Sequence, residues 1–255
     1  YVKYQKETQA KASEEKRKET ELEEARQFQL DMLPKEIPDV LDLEIAATIQ
    51  TASEVGGDYY DFFPQKNGES LYVAVGDATG HGMTAGMMVS ITKAGLYGIP
   101  SIPPNDIAKR LNRVIKNIDL GWNRMAFNMA RFWEGRVEFT SAAMPPAYHY
   151  HRETGEVDEI LIEGLPLGSF KDETFTLVDF EFKQGDSLVF ISDGLPEAAN
   201  TSEEMLGYEA VRDCVQANGH QNAEEQKQAL LDLGTVWLGD LRNQDDITIV
   251  VVKKK

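Results

Sequence analysis

The first 33 residues and the rest of the chain carry different patterns of hydrophobic and polar positions. Between Lys3 and Glu24 nearly every residue is Lys, Glu, Gln, Arg, Ala, Ser or Thr, without Gly or Pro, a helix-forming composition. Heptad spacing enters only late, at Leu22, Ala25, Gln29 and Met32, over less than two heptads. Pro34 and Pro38 close the segment. We expect a charged signalling helix over residues 1–34. Its apolar stripe, Leu22, Ala25, Phe28, Met32 and Leu33, is expected to pair with a second copy or dock on the domain. The alternative is a passive solvated linker.

From about Leu41 the period shortens to two. Leu43, Ile45, Ala47 and Ile49 alternate with polar residues, as in a half-buried strand. Strands are predicted over Tyr59–Phe63 and Leu71–Val75, parted by the turn Lys66-Asn67-Gly68. Helices are predicted over Met83–Tyr97 and Pro104–Ile118; the second opens on Pro103-Pro104 and has one apolar face. A strand-rich block follows: Met125–Trp133, Arg136–Ser141, Ala147–His151, Val157–Ile162, Phe175–Phe182 and Ser187–Ile191. Helices return at Tyr208–Ala217 and Ala223–Leu238, and Ile247–Val252 is the last strand. Meandering strands with helices in two groups predict an α+β fold with antiparallel sheets, one domain over residues 41–255.

Composition narrows the functions. The net charge of -17 argues against a nucleic-acid or anionic-membrane partner, since phosphate backbones are met by basic patches. The one cysteine, Cys214, excludes an internal disulfide and a Cys-rich zinc site, and suits the cytoplasm. No stretch reaches the ~18 apolar residues of a membrane span. The chain lacks an initiator Met, so it reads as a piece of something longer, in which a sensor domain or membrane anchor could lie upstream.

Four aspartates occupy similar places: Asp58 after Gly56-Gly57, Asp77 after Gly76, Asp193 past the strand Leu188–Ile191, and Asp245 before the last strand. Carboxylates beside buried strands are costly to desolvate unless paired or metal-bound. Hard oxygen ligands suit Mg²⁺ or Mn²⁺, and two such ions can activate water for phosphoester hydrolysis. Taken singly, each Asp-Gly reads equally as a turn former.

The order of four local motifs decides between these readings. Gly56-Gly57-Asp58-Tyr59-Tyr60-Asp61, Gly76-Asp77-Ala78-Thr79-Gly80-His81-Gly82, Ser192-Asp193-Gly194-Leu195-Pro196-Glu197-Ala198 and Asp245-Asp246-Ile247-Thr248 follow one another along the chain. Together they resemble the bacterial stage-II-sporulation and stress-response phosphatases, the serine-phosphatase branch of the PP2C-like (PPM) superfamily. Gly164-Leu165-Pro166-Leu167-Gly168 matches a further block, and Arg26, Gln29, Leu33 and Pro34 look like the family's linker. The resemblance covers about residues 25–252.

It implies an αββα sandwich with two divalent cations, Mn²⁺ or Mg²⁺, at one end of the sheets. Asp77 would bridge both ions, Asp193 and Asp245 would complete one, Asp58 would serve the other, and the Ala78 carbonyl could add a ligand. Asp246, Gly194 and His81 are expected around these ligands. The implied substrate is phosphoserine or phosphothreonine on a small anti-sigma-factor antagonist, hydrolysed without a phosphoenzyme.

Two features depart from the pattern. Met144, in Ser141-Ala142-Ala143-Met144-Pro145-Pro146, stands where the family often has His. Arg124 and Arg131 both read as structural rather than phosphate-binding. A degenerate, dimeric binding module is therefore the alternative to an enzyme. A dinucleotide fingerprint at Gly80-His81-Gly82-Met83-Thr84-Ala85-Gly86 is rejected, because its spacing is one residue too long and no acid follows ~20 residues on.

Overall fold

The computed structural model describes residues 2–40, 42–52, 55–65, 70–80 and 82–255, without the side chains of 2–10, 12, 19 and 29. Among the described residues the strands form two five-stranded antiparallel sheets. The first has the order β1 (Leu43–Gln50), β10 (Ile247–Lys254), β9 (Ser187–Ile191), β6 (Ala147–Tyr150), β7 (Val157–Ile160). The second has the order β2 (Asp58–Pro64), β3 (Ser70–Ala78), β4 (Met125–Trp133), β5 (Arg136–Ala142), β8 (Val178–Glu181). Helix α1 (Val2–Met32) leads in. Helices α2 (Met83–Gly98) and α3 (Pro104–Ile118) cover the second sheet, and α4 (Tyr208–Asn218) and α5 (Ala223–Leu238) cover the first.

Three apolar layers hold this αββα sandwich together. Val73, Phe139, Phe190 and Val250 pack between the sheets. Met88, Leu111 and Phe127 join the second sheet to α2 and α3, and Tyr148, Val189 and Leu230 join the first sheet to α4 and α5. The apolar run of β10 over residues 249–252 follows from its place in the first sheet. Val250 and Val252 enter the layer between the sheets, whereas Ile249 and Val251 face the helices. Cys214 packs half-buried against the helix side. No helix among the described residues is long and apolar enough to cross a membrane.

The element boundaries differ from expectation mainly at strand ends. β3 continues through Gly76 to Ala78, so Asp77 lies within the strand instead of beyond it. Gly76 is there because a Cβ would meet the Met125 methyl at 2.4 Å, not because the strand stops. β8 keeps only the centre of the run expected over 175–182, and β7 stops at Ile160. The turn expected at Lys66-Asn67-Gly68 lies outside the described residues.

α1 ends on a physical link to the core. Leu33, just past the helix, packs against both the inter-sheet layer and the layer beneath α2. α1 also packs against α2, the helix that opens a few residues after Asp77. Along its expected stripe Leu22, Ala25 and Met32 are half-buried, and Phe28 is exposed.

Candidate active site

Carboxylates arrive at one end of the sandwich from both sheets. The register of β2 on β3 sets Asp58 directly opposite Asp77. On the first sheet Asp193 follows β9 and Asp245 precedes β10, and these two strands are hydrogen-bonded neighbours. Asp193 and Asp245 act electrostatically on Asp77, as do Asp246 and Glu197.

Two glycines permit this crowding. A Cβ on Gly57 would stand 2.8 Å from the Ala78 carbonyl oxygen and 3.2 Å from an Asp77 carboxylate oxygen. One on Gly194 would stand 2.0 Å from the Asp246 carbonyl. The backbone after Asp193 thus lies against the backbone after Asp245 only because residue 194 has no side chain.

Asp246 lies beside the carboxylate cluster and is taken up by backbone amides. Its Oδ1 accepts the Ala52 N–H at 2.8 Å, and its Oδ2 accepts the N–H of Gly57 at 2.7 Å and of Asp58 at 3.4 Å. It therefore fixes the segment that delivers Asp58. Asp245 Oδ1 in turn accepts the Asp246 N–H at 2.8 Å.

A hydroxyl chain ties the two sheets together beneath the cluster. Thr248 donates from Oγ1 to Asp58 Oδ2 at 2.6 Å. Ser192 accepts the Thr248 N–H at 2.9 Å and donates to the Asp246 carbonyl at 3.1 Å. Thr248, Ser192 and Glu197 all lie inside the quoted motifs, but the sequence reading assigned them no role. The available signal was Thr248, a polar residue in register with Val250 and Val252 on an otherwise apolar strand face.

The cluster is electrostatically strained. Burial, then the charge of Asp77, pushes Asp58 well above the ordinary carboxylate range, with hydrogen bonds from Thr248 and Ser192 opposing. Burial, then Asp193 and Asp245, lifts Asp77 to about 8. Burial, then Asp245 and Glu197, lifts Asp193 to about 6. The charges acting on Asp77 are all acidic. Such a donor set, all oxygen and short of positive charge, fits hard divalent cations.

The remaining expected residues divide clearly. The side chain of Met144 is buried in the inter-sheet layer, so this position serves packing. Arg131 lies over the rings of Tyr72 and Trp133 and pairs with Glu138 at 3.4 Å, a structural role. Arg124 precedes β4. Its backbone exchanges hydrogen bonds with Thr79, and its guanidinium holds the carbonyls of Gly121 and Asn123. His81 lies outside the described residues.

A four-layer αββα sandwich with carboxylates converging at one end of both sheets gives the chain a PP2C-like fold. Residues 67–255 match the family described as Stage II sporulation protein E (SpoIIE), and the chain belongs to that family. It is 28% identical over 241 residues to the phosphoserine phosphatase RsbU of Bacillus subtilis (strain 168), covering 92% of this chain and 70% of that protein. The SiaA-PP2C domain of Pseudomonas aeruginosa superposes with a TM-score of 0.82 at 20% identity, over 96% of this chain and 100% of that one. The RsbU and RsbW domains of Rv1364c from Mycobacterium tuberculosis give 0.73 at 21% identity, over 88% of this chain and 63% of that one.

Proposed function

We propose that the acidic cluster binds two divalent cations, Mn²⁺ or Mg²⁺, and hydrolyses phosphoserine or phosphothreonine on a small antagonist protein of the anti-sigma-factor type. The observation carrying this reading is the convergence of Asp58, Asp77, Asp193 and Asp245, with only acidic charges acting on Asp77 among the described residues. Asp77 stands between the two strand systems and is the residue suited to both ions. Asp193 and Asp245 would hold one ion, and Asp58 with the Ala78 carbonyl would serve the other. Bound there, the cations would supply Lewis acidity to the phosphoester and lower the pKa of a water. The chain's own contribution is to hold the carboxylates in place and to offset part of the cost of ionising Asp58: Asp246 fixes the segment that carries Asp58, and Thr248 donates to the Asp58 carboxylate.

Partner switching in the cytoplasm is the setting this reading favours. Similarity to RsbU, a phosphoserine phosphatase, supports a phosphoprotein substrate. An upstream sensor acting through α1, and a homodimer formed by that helix, belong to the same proposal; the packing of α1 on α2 supports only the link from that helix to the domain.

Incubating the chain with a serine-phosphorylated antagonist-type protein tests the substrate class. Phosphate release with Mn²⁺ or Mg²⁺ that stops on chelation is the expected result. Hydrolysis of a small aryl phosphate but not of the phosphoprotein would leave the enzyme class and remove the substrate. Failure on both, with metal present, contradicts the proposal.

A further inference from the structure

At the opposite end of the first sheet from the carboxylate cluster lies a second group of potential ligands with a different chemistry. His149 is on β6 and His151 follows that strand by one residue. Positions two apart along a strand share a face, and the two rings lie 4.0 Å apart between centroids. Asp186 immediately precedes β9, at the turn where the chain leaves β8 in one sheet and enters β9 in the other. One ligand atom from each of His149, His151 and Asp186 lies within 4.8 Å of the other two. They line an open pocket of about 280 Å³, together with Asp158 on β7. The five residues of β9, at ~3.3 Å each, keep this group on the order of 16 Å from the residues that follow the strand, including Asp193.

Hydrogen bonding accounts poorly for the arrangement. His149 Nε2 stands 3.4 Å from Asp186 Oδ2, long for an N–H···O bond. That oxygen already accepts the Lys183 N–H at 2.9 Å, and Oδ1 accepts the Arg152 N–H at 2.9 Å. Two ligands sharing a tetrahedral ion with bonds of about 2.0–2.1 Å stand about 3.3 Å apart, close to the His149–Asp186 separation, so only His151 has to draw in. The supports a metal site needs are also present. Backbone amides orient the Asp186 carboxylate, and the rings of Phe180 and Phe182 flank His149 at 4.8 Å and 5.7 Å. Burial, then His151, lowers the pKa of His149, which leaves its imidazole neutral with a lone pair available.

We propose that His149, His151 and Asp186 form a second metal site, specific for a borderline transition ion such as Zn²⁺, that ties the β8–β9 crossover to β6. Two imidazole nitrogens and a carboxylate select Zn²⁺, Co²⁺ or Ni²⁺ over the Mg²⁺ or Mn²⁺ suited to an all-oxygen cluster. Asp158, whose Oδ2 lies 2.8 Å from His151 Nε2, stands outside the three-ligand group, and its exposed side chain has to swing inward, or a water has to enter, to complete the shell. As the ion binds, His151 carries its ring proton on Nδ1, leaving Nε2 to the metal. The role is structural: the ion joins a strand of one sheet to the chain entering from the other, away from the hydrolytic site.

The chain has four histidines, so zinc titration followed by proton NMR of the imidazole ring signals is decisive. We expect two ring resonances to shift together and saturate at one equivalent, and the thermal midpoint to rise. His151→Gln and His149→Gln should each weaken this event at least tenfold and abolish the rise in midpoint. His151 is partly exposed, so its variant is expected to fold and to keep its Mg²⁺-dependent hydrolysis. Asp77→Asn should leave the zinc event unchanged. Zinc shifting neither ring, shifting the remaining ring of a glutamine variant with undiminished affinity, or losing its effect in Asp77→Asn would each overturn the site.

Discussion

Thr248 shows how much one hydroxyl can matter when it faces a buried carboxylate. Asp58 is almost fully buried, and Thr248 Oγ1 donates to it at 2.6 Å, offsetting part of its desolvation. A hydrogen bond to a charged group contributes about 1.5–3 kcal/mol, so Thr248→Val, which keeps the shape, should cut the metal-dependent rate by about 10–100-fold. Steady-state hydrolysis against metal concentration measures it; a variant with unchanged rate and metal dependence would show that Thr248 is only packing. Gly194→Ala meets a harder obstacle, the Asp246 carbonyl at 2.0 Å from the new methyl. Backbone has to shift, and a loss of about 2–4 kcal/mol in urea unfolding is expected. In the sequence Thr248 was only a letter within a motif, and Gly194 was expected around the ligands without the close backbone contact that requires it. Spacing along one strand does not reveal that position 248 faces position 58 across 190 residues.

At the scale of elements, most strands and helices were legible because periodicity reports burial. α3 and α5 keep their predicted limits, as do β4 and β9. The end of β3 was misjudged because glycine usually weakens a strand, whereas Gly76 makes room for Met125. Pairing was not legible: the opposition of Asp58 and Asp77 depends on β2–β3 register, and the meeting of β9 with β10 depends on topology. That meeting has a consequence for pH. In the metal-free fold Asp77 titrates near about 8 and Asp193 near about 6, against an ordinary value of 3.8. Between about pH 4 and 8 the folded protein therefore holds protons that the unfolded chain has released, and metal-free stability falls as pH rises through that window. Ions need the ionised carboxylates, so metal affinity should rise over the same range and level off near pH 8. Denaturant melts and metal titrations at pH 5, 6, 7 and 8 check both slopes. Parallel, flat profiles would mean that the carboxylates do not repel one another as described.

For the whole molecule, α1 is the element least explained by its own chemistry. It is polar over most of its length, yet Leu33 enters the core and the helix lies on α2. Movement of α1 would be felt at α2, whose first turn follows the end of β3 that carries Asp77. Removing residues 1–27, and separately making Met32→Asp, should each change the sedimenting species and the hydrolysis rate. The same number of chains per particle and the same rate in all three proteins would reduce the helix to a tether.

The central claim is that the four aspartates act together as one two-ion site. Calorimetric titration of Mn²⁺ into the metal-free chain, alongside Asp77→Asn, tests it most directly. The account predicts two ions on the parent at the carboxylate cluster, and hydrolysis that chelation abolishes and added metal restores. Asp77→Asn, folded by circular dichroism, should lose affinity for both ions and most of its activity. Undiminished hydrolysis in excess chelator, or an Asp77→Asn protein that binds two ions and turns over like the parent, would contradict it.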